Sequence, residues 1–299
     1  MRKKLIITGG TGFIGKNLIP YAAKYDTEIF VLTNKNDFYS EYKNITYIKC
    51  DLLNDDDVKK TLKLLKATHL LHIAWSMAPS NYNLPENFNW LKSSMLLLEE
   101  FQKNKGERVV IVGSCFEYNW DYGCCREDYT PISHNTLYGS SKNILREYAF
   151  SFCSYHGMEI AWPRLFFLFG PFEQPQRLIP HIITSLLKEQ NATIINGEIY
   201  RDYMYIKDST KALSNLIFSD FSGVINISTG MPIKLGDFGK LAARIIGRPD
   251  LLKIESPKII KDRIVYADVK KLHDRFLFVP SYDIETGLQE TIKWWKDYV

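Results

Sequence analysis

The sequence predicts an α/β fold in which helices cover both faces of a doubly wound parallel sheet. Three observations support this prediction. Short apolar runs alternate with helical patterns through the first half, a glycine-rich turn follows the first run, and 45% of the 299 residues are hydrophobic. Buried parallel strands are continuous apolar runs, and a helical crossover joins each strand to the next. A chain of this length and composition can bury one large core.

Six apolar runs in the first half are predicted strands. They cover Lys4 to Thr8, Glu28 to Thr33, Thr46 to Cys50, His69 to Ala74, Arg108 to Gly113 and Glu159 to Phe166. After Gly170 the pattern changes to helices mixed with short strands, including helices from Asp208 to about Phe218, from Leu235 to Ile246 and near Ile284 to Tyr298. We therefore predict one domain over residues 1–166, which also receives segments near 208–229, and a smaller mixed α/β lobe over residues 167–299.

Composition argues against several classes of partner. The net charge is only +4 and basic residues are interspersed with acidic ones, so nucleic acid is not an expected partner. No apolar run is long enough for a secretory leader or a membrane span, which predicts a cytoplasmic protein with no membrane partner. The five cysteines are an odd number without metal-ligand spacing, so neither a disulfide framework nor a metal site is predicted.

The glycine-rich turn "TGGTGFIG" predicts a dinucleotide site. Gly9, Gly12 and Gly15 fit G-x-x-G-x-x-G directly after the first strand, and a helix opens at about Phe13. Glycines there allow the tight turn and let the backbone approach a pyrophosphate, while the helix N-terminus attracts the anion. This arrangement is typical of a Rossmann-type sheet, with these glycines, Phe13 and Ile14 as cofactor contacts.

The end of the second strand favours NADP as the cofactor. An acidic residue there would hydrogen-bond the ribose of NAD, but the sequence has Thr33, Asn34 and Lys35, with no acid before Asp37. A hydroxyl, an amide and an ammonium accept a 2′-phosphate; NAD remains the alternative if Lys35 is simply solvated. His72 is interpreted as a core histidine. Further cofactor contacts are predicted after the third and fourth strands, at Asp51, Leu52 and Ala74.

The run "LYGSSK" supplies a catalytic pair. Tyr138 and Lys142 are four residues apart, so they share one face of the predicted helix. The Lys142 ammonium is expected to lower the pKa of the Tyr138 phenol toward a value useful for proton transfer at neutral pH. Ser114 ends the fifth strand in "IVGSC", at the sheet edge where such folds bind ligands, and can hydrogen-bond the same substrate oxygen.

Several sequence blocks, in order, resemble the extended short-chain dehydrogenase/reductase superfamily and its nucleotide-sugar epimerase/dehydratase group. They are "TGGTGFIG", "DLLNDDDV", "HIAW", "VGSCFEY", "YGSSK", "RLFFLFGP", "RDYMYIKD", "INISTG" and "IETGLQETIKWW". The resemblance implies a Rossmann-type fold and a triad of Ser114, Tyr138 and Lys142. It also implies that the triad moves a hydride at the sugar of a nucleotide-diphosphate sugar, with Lys142 also holding the nicotinamide ribose. A homodimer formed through the helix that carries Tyr138 and Lys142 is likewise implied.

Departures from the family narrow the expected reaction. The family's 4,6-dehydratases have an Asp-Glu pair after the triad Ser or Thr, where this chain has Cys115 and Phe116, so dehydration is disfavoured. GDP-fucose synthases pair a Cys after that Ser with a His, and Arg177 stands about where that His would be. Reduction of a keto-sugar and 4-epimerisation remain.

A net reductase suits NADPH drawn from the cellular pool, whereas a 4-epimerase recycles bound NAD. The protein is therefore expected to be an NADPH-dependent reductase that acts on the 4-keto group of a nucleotide-linked 4-keto-6-deoxysugar. It would be similar to CDP-abequose, dTDP-fucose and dTDP-6-deoxytalose synthases of deoxysugar and surface polysaccharide biosynthesis. The alternative is an NAD-dependent 4-epimerase. Phe167 replaces the Asn of the family's "R-x-x-N-x-Y-G-P" block. Predicted substrate contacts are Ser114, Cys115, Arg177, Arg201 and Arg263.

Overall fold

The computed structural model describes residues 3–36, 38–76, 82–255 and 262–299. The strands in these ranges are β1 (Lys4–Thr8), β2 (Glu28–Thr33), β3 (Ile45–Lys49), β4 (His69–His72), β5 (Arg108–Ile111), β6 (Gly113–Ser114), β7 (Cys124–Cys125), β8 (Glu159–Leu165), β9 (Phe167–Phe169), β10 (Ala192–Ile194), β11 (Tyr200–Arg201), β12 (Tyr203–Tyr205), β13 (Gly223–Ile227), β14 (Ile233–Lys234), β15 (Leu252–Ile254) and β16 (Ile264–Ala267). The helices are α1 (Phe13–Ala22), α2 (Asp55–Leu65), α3 (Glu86–Lys103), α4 (Leu137–His156), α5 (Leu178–Leu187), α6 (Ile206–Phe218), α7 (Leu235–Ile246), α8 (Lys270–Phe276) and α9 (Ile284–Lys296).

The main sheet has the order β13-β8-β5-β4-β1-β2-β3, with β6 beside β8. The pairs β1–β2, β2–β3, β1–β4, β4–β5 and β5–β8 are all parallel. The strand order reverses at β1, and in such sheets ligands bind outside the carboxyl ends of the strands at the reversal. The predicted α/β fold with a Rossmann-type parallel sheet is confirmed.

The contacts of the chain group it into two compact units. The first contains residues 1–117, 132–164 and 210–225, and its core lies between the apolar strands and the inner faces of α2, α3 and α4. The second contains residues 118–131, 165–209 and 226–299, with a four-stranded sheet of order β14-β11-β16-β7 and two strand pairs, β10–β15 and β9–β12. Residues 118–131 fall in the second unit, unlike in the predicted division at residue 166, because β7 pairs with β16.

Most predicted elements match the structure closely. The strands β1 and β2 and the helix α7 have the predicted bounds. The fourth strand ends at His72, two residues before the predicted end, and the predicted fifth strand is divided into β5 and β6. None of the helices in the described ranges is long and apolar enough to cross a membrane.

Candidate active site

The glycine loop between β1 and α1 has the geometry that phosphate binding requires. Gly9 adopts a φ of +72°, and a Cβ there would lie 2.8 Å from the backbone nitrogen of Ala74. A Cβ on Gly15 would lie 2.3 Å from the Gly9 carbonyl oxygen, so the helix can approach the loop only without a side chain. Gly12 precedes α1 without a capping side chain, and the first turn contains no acidic residue. This N-terminus therefore suits a pyrophosphate.

The carboxyl end of β2 presents polar groups without a described carboxylate. Thr33 is buried, and its hydroxyl accepts a hydrogen bond from the Lys35 amide at 3.2 Å. Asn34 and Lys35 are exposed, while Asp37 lies outside the described residues. After β3, Asp51 is exposed and its carboxylate accepts the Leu53 amide at 3.0 Å. A ribose hydroxyl or a 2′-phosphate both fit these groups.

A buried histidine braces the same edge of the sheet. The Thr8 hydroxyl is 2.7 Å from His72 Nδ1, and the opposite ring nitrogen is 2.8 Å from the Ser94 hydroxyl. Burial lowers the pKa of His72 to about 3, with a further contribution from Lys142, so the ring is neutral at physiological pH. The Thr8 hydroxyl also accepts the Ala74 amide at 3.2 Å. His72 therefore has the partners expected of a core histidine, and it links β1 to α3.

Tyr138 lies in the first turn of α4, inside an aromatic enclosure. Thr136 caps the helix by accepting the Gly139 amide at 3.0 Å. The rings of Phe116, Trp75 and Tyr82 lie edge-on to the phenol ring, with centroids 5.8, 6.0 and 6.1 Å away. The Ser114 side chain lies close enough to the phenol to lower the pKa of Tyr138. The structure thus brings the predicted Ser and Tyr together.

Lys142 is buried one turn further along α4. Its ammonium donates to the carbonyl oxygen of Val112 at 2.8 Å and lies 4.1 Å from the centre of the Trp75 ring. Trp75 is in turn held by a 2.9 Å hydrogen bond from its indole nitrogen to Asn87. Burial lowers the pKa of Lys142 to about 7, while Glu117 acts in the opposite direction. The charged and neutral forms of Lys142 are therefore both populated near neutral pH.

The expected lowering of the Tyr138 pKa by Lys142 is wrong for this structure. Burial raises the pKa of Tyr138, the nearby Ser114 side chain opposes that rise, and the charge of Glu117 adds to it. The reason is that an enclosed phenol loses the hydration that would stabilise a phenolate. In this state Tyr138 is a neutral proton donor.

Two residues at this site, Trp75 and Glu117, were not predicted. Glu117 ends a 3-10 turn, Cys115–Glu117, and its buried carboxylate accepts the Ser114 amide at 2.8 Å. The spacing Ser-x-x-Glu is that of a capping box, a signal that the sequence contains. For Trp75 the sequence contains no such signal, because its partner Lys142 is 67 positions away.

The remaining predicted substrate residues have varied surroundings. Cys115 is buried in the first unit. In the second unit, Arg177 precedes α5 beside Glu173, Arg263 is exposed, and Arg201 is buried. The Arg201 guanidinium donates to the carbonyl oxygens of Tyr200 and Asp262, both at 2.8 Å, and lies 5.4 Å from the Trp120 ring and 5.6 Å from the Phe167 ring.

The pattern of the "NAD dependent epimerase/dehydratase family" matches residues 5–227. The chain belongs to this family. That range includes the glycine loop, Ser114, Tyr138 and Lys142.

The similarity to individual relatives and solved structures extends over nearly the whole chain. UDP-glucuronate 4-epimerase 4 of Arabidopsis thaliana is 22% identical over 335 residues, which cover 98% of this chain and 75% of its own. The UDP-N-acetylglucosamine 4-epimerase of Methanobrevibacter ruminantium, solved with UDP-N-acetylmuramic acid, superposes with a TM-score of 0.88 at 25% identity, covering 100% of this chain and 99% of its own. The UDP-glucose 4-epimerase of Thermus thermophilus, solved with NAD, gives a TM-score of 0.87 at 20% identity, covering 99% of this chain and 100% of its own.

Proposed function

We propose that this protein is a nicotinamide-dependent 4-epimerase of a nucleotide-diphosphate sugar. The observation that carries the proposal is the burial of Tyr138 and Lys142 one turn apart on α4, with Ser114 close enough to the phenol to oppose the rise of its pKa. It sits in a chain of the epimerase/dehydratase family whose similar proteins include several 4-epimerases. A nicotinamide dinucleotide, when bound, supplies the acceptor and donor of hydride at C4.

The triad residues then divide the proton and positioning work. In the reductive half of the reaction the Tyr138 phenol gives its proton to the C4 oxygen. In the oxidative half Tyr138 must take the proton of the C4 hydroxyl as a phenolate, the form that burial in the unliganded protein disfavours. Ser114 donates a hydrogen bond to the same oxygen, on which negative charge develops. Lys142, which carries a positive charge when protonated, would hold the nicotinamide ribose. Arg177, Arg201 and Arg263 bind the diphosphate and nucleoside of the substrate.

The residues that follow Ser114 disfavour elimination of water. Dehydration needs a free acid and base beside the ketone, but Cys115 is buried and Phe116 stacks on Tyr82 with ring centroids 4.5 Å apart. The next carboxylate along the chain, Glu117, is bonded to the Ser114 amide and to Arg164. A simple exchange of hydride at C4 fits this residue set.

A second candidate function has one specific observation in its favour. The end of β2 carries Thr33, Asn34 and Lys35 in place of the acidic residue that selects NAD. These groups suit the 2′-phosphate of NADPH, and an enzyme that draws NADPH from the pool catalyses net reduction. The candidate is reduction of a nucleotide-linked 4-keto-6-deoxysugar, a step of deoxysugar and surface polysaccharide biosynthesis.

One panel of assays separates the two functions. The purified protein is incubated with UDP-glucose, UDP-N-acetylglucosamine or UDP-glucuronate and NAD, and the C4 epimers are separated by chromatography. Epimer formation without net change in NADH absorbance supports the 4-epimerase. The reductase is supported instead if no UDP-sugar is epimerised and NADPH is oxidised only when a dTDP- or CDP-4-keto-6-deoxysugar is present. No turnover in either arm contradicts both.

We also propose that the protein is a cytoplasmic homodimer. We further propose that its two units bind different ligands. In the first unit α3 and α4 pack side by side, and both expose apolar side chains: Phe88 on α3, and Ile144 and Tyr155 on α4. These side chains would form the subunit contact. The dinucleotide would bind the first unit and the nucleoside diphosphate the second. Light scattering of the wild type and an Ile144→Glu variant tests the dimer, because a charge in that contact should give a monomer.

A further inference from the structure

We propose that Glu117 is a positioning residue of the active site: its buried carboxylate accepts the Ser114 amide and thereby fixes the main chain of Ser114. This inference rests on the proposed function for its meaning in catalysis. Its physical content, the fixing of Ser114 and the charge balance of Lys142, concerns the unliganded protein alone.

The carboxylate of Glu117 is fully engaged. One oxygen accepts the Ser114 amide at 2.8 Å, the other accepts Arg164 Nε at 2.7 Å, and the indole nitrogen of Trp162 contacts both at 3.0 and 3.1 Å. The side chains of Glu117, Arg164 and Trp162 are all buried. Because these charged and neutral donors occupy both of its oxygens, the Glu117 carboxylate does not serve as a ligand for substrate.

The main chain of Glu117 is held as firmly as its side chain. Its carbonyl oxygen accepts the Ser133 amide at 2.7 Å and the Asn143 side-chain amide at 3.1 Å. A Cβ on Gly113 would lie 2.5 Å from the Glu117 carboxylate and 2.2 Å from the Trp162 indole nitrogen. The turn after β6 is therefore clamped between β8 and α4. The main chain of Ser114, directly before this turn, is therefore held in place as well.

Stability alone does not account for this arrangement. Burying an ion pair costs desolvation that the attraction between the two charges often fails to recover, and apolar replacements are commonly as stable or more stable. The Glu117–Arg164 pair has instead a connection to function. Glu117 bonds the amide of Ser114, whose side chain lies close to the Tyr138 phenol, and its charge raises the pKa of both Tyr138 and Lys142.

The charges around Lys142 determine in which direction loss of Glu117 would move the pKa of Lys142. Glu117 is the charged group that acts on Lys142, His72 is neutral, and Arg164 offsets part of the Glu117 charge. Without the carboxylate, burial alone would govern Lys142, and a larger fraction of it would be neutral at pH 7. Loss of the Glu117 charge therefore lowers the pKa of Lys142 further.

The test combines a titration of the unliganded protein with kinetics. Lysine Cε signals are followed by NMR from about pH 5.5 to 10, with the Lys142 signal assigned by its absence in Lys142→Met. In Glu117→Gln we expect the Lys142 midpoint to fall to lower pH. In Glu159→Gln, which removes the partner of another buried arginine, Arg108, the midpoint should stay unchanged. Should Glu117→Gln fail to fold, Glu117→Gln/Arg164→Met removes both charges and leaves an acceptor for the Ser114 amide.

Kinetics then report on the positioning of Ser114. Per folded molecule, kcat of the Glu117 variants should fall by about 10- to 100-fold with little change in KM, as expected when a catalytic group is misplaced. The pH profile of kcat should move to lower pH with the Lys142 midpoint. An unchanged Lys142 midpoint overturns the charge balance, and an unchanged kcat per folded molecule overturns the positioning. Because the titration needs no substrate, its result stands even if no nucleotide sugar is turned over.

Discussion

The pKa of Lys142 predicts that this residue costs the protein stability at neutral pH. The lysine falls from an ordinary value of 10.5 to about 7 in the fold, because burial disfavours the ammonium. Between these two values the unfolded chain holds a proton that the native protein has lost, so stability rises with pH over that window. Each pH unit contributes about 1.4 kcal/mol, so the contribution over the whole window is on the order of 5 kcal/mol.

The perturbation is Lys142→Met, which keeps an unbranched side chain, shorter by its terminal atom, and removes the charge. The assay is equilibrium unfolding in urea at about pH 7.5, 8.5 and 9.5, inside the window where stability should rise. We expect the wild type to gain about 1.4 kcal/mol per pH unit relative to the variant, with the variant the more stable protein at about pH 7.5. The loss of the Val112 hydrogen bond, about 1 kcal/mol, offsets part of that advantage.

The control is Lys92→Met, which removes an exposed lysine from α3. Its stability should run parallel to that of the wild type across the same pH range. Parallel stability curves for the wild type and Lys142→Met would show that the fold does not lower the pKa of Lys142. That result would refute the proposed effect of burial on this lysine.

Three further predictions concern the triad and the cofactor loop. Tyr138→Phe should lower kcat by about 10²- to 10⁴-fold with dinucleotide affinity unchanged, because only the proton donor is lost; substantial remaining turnover would mean another residue donates the proton. Gly15→Ala should abolish dinucleotide binding in titrations, since its Cβ would meet the Gly9 carbonyl oxygen at 2.3 Å. In the matched Gly12→Ala variant the same oxygen is 3.4 Å away, so the fold should persist, and equal melting temperatures of the two variants would contradict this ranking. Lys35→Ala should weaken NADPH binding and leave NADH binding unchanged if the end of β2 selects the 2′-phosphate, whereas equal effects on both would remove that support for the reductase.

Much of the fold could be predicted because its signals are local. The β1–turn–α1 segment combines an apolar run, glycines at fixed spacing and a helical pattern within about 20 residues, and the structure has β1 and the start of α1 at the predicted positions. The strand β7 was missed because a pair of cysteines carries no strand pattern. It becomes a strand through pairing with Tyr266 and Ala267, about 140 residues later.

The amino-acid sequence by itself determined the parallel architecture, the dinucleotide loop and the residue types of the triad, since these depend on periodicity and on spacings of a few residues. Tertiary structure alone decided how those groups are charged. Lys142 meets Trp75, and Glu117 meets Arg164, across 67 and 47 positions of the chain. A pKa depends on burial and on neighbouring charges, which long-range packing creates. That is why the sequence placed Tyr138 beside Lys142 correctly and yet predicted the wrong direction for the pKa of its phenol.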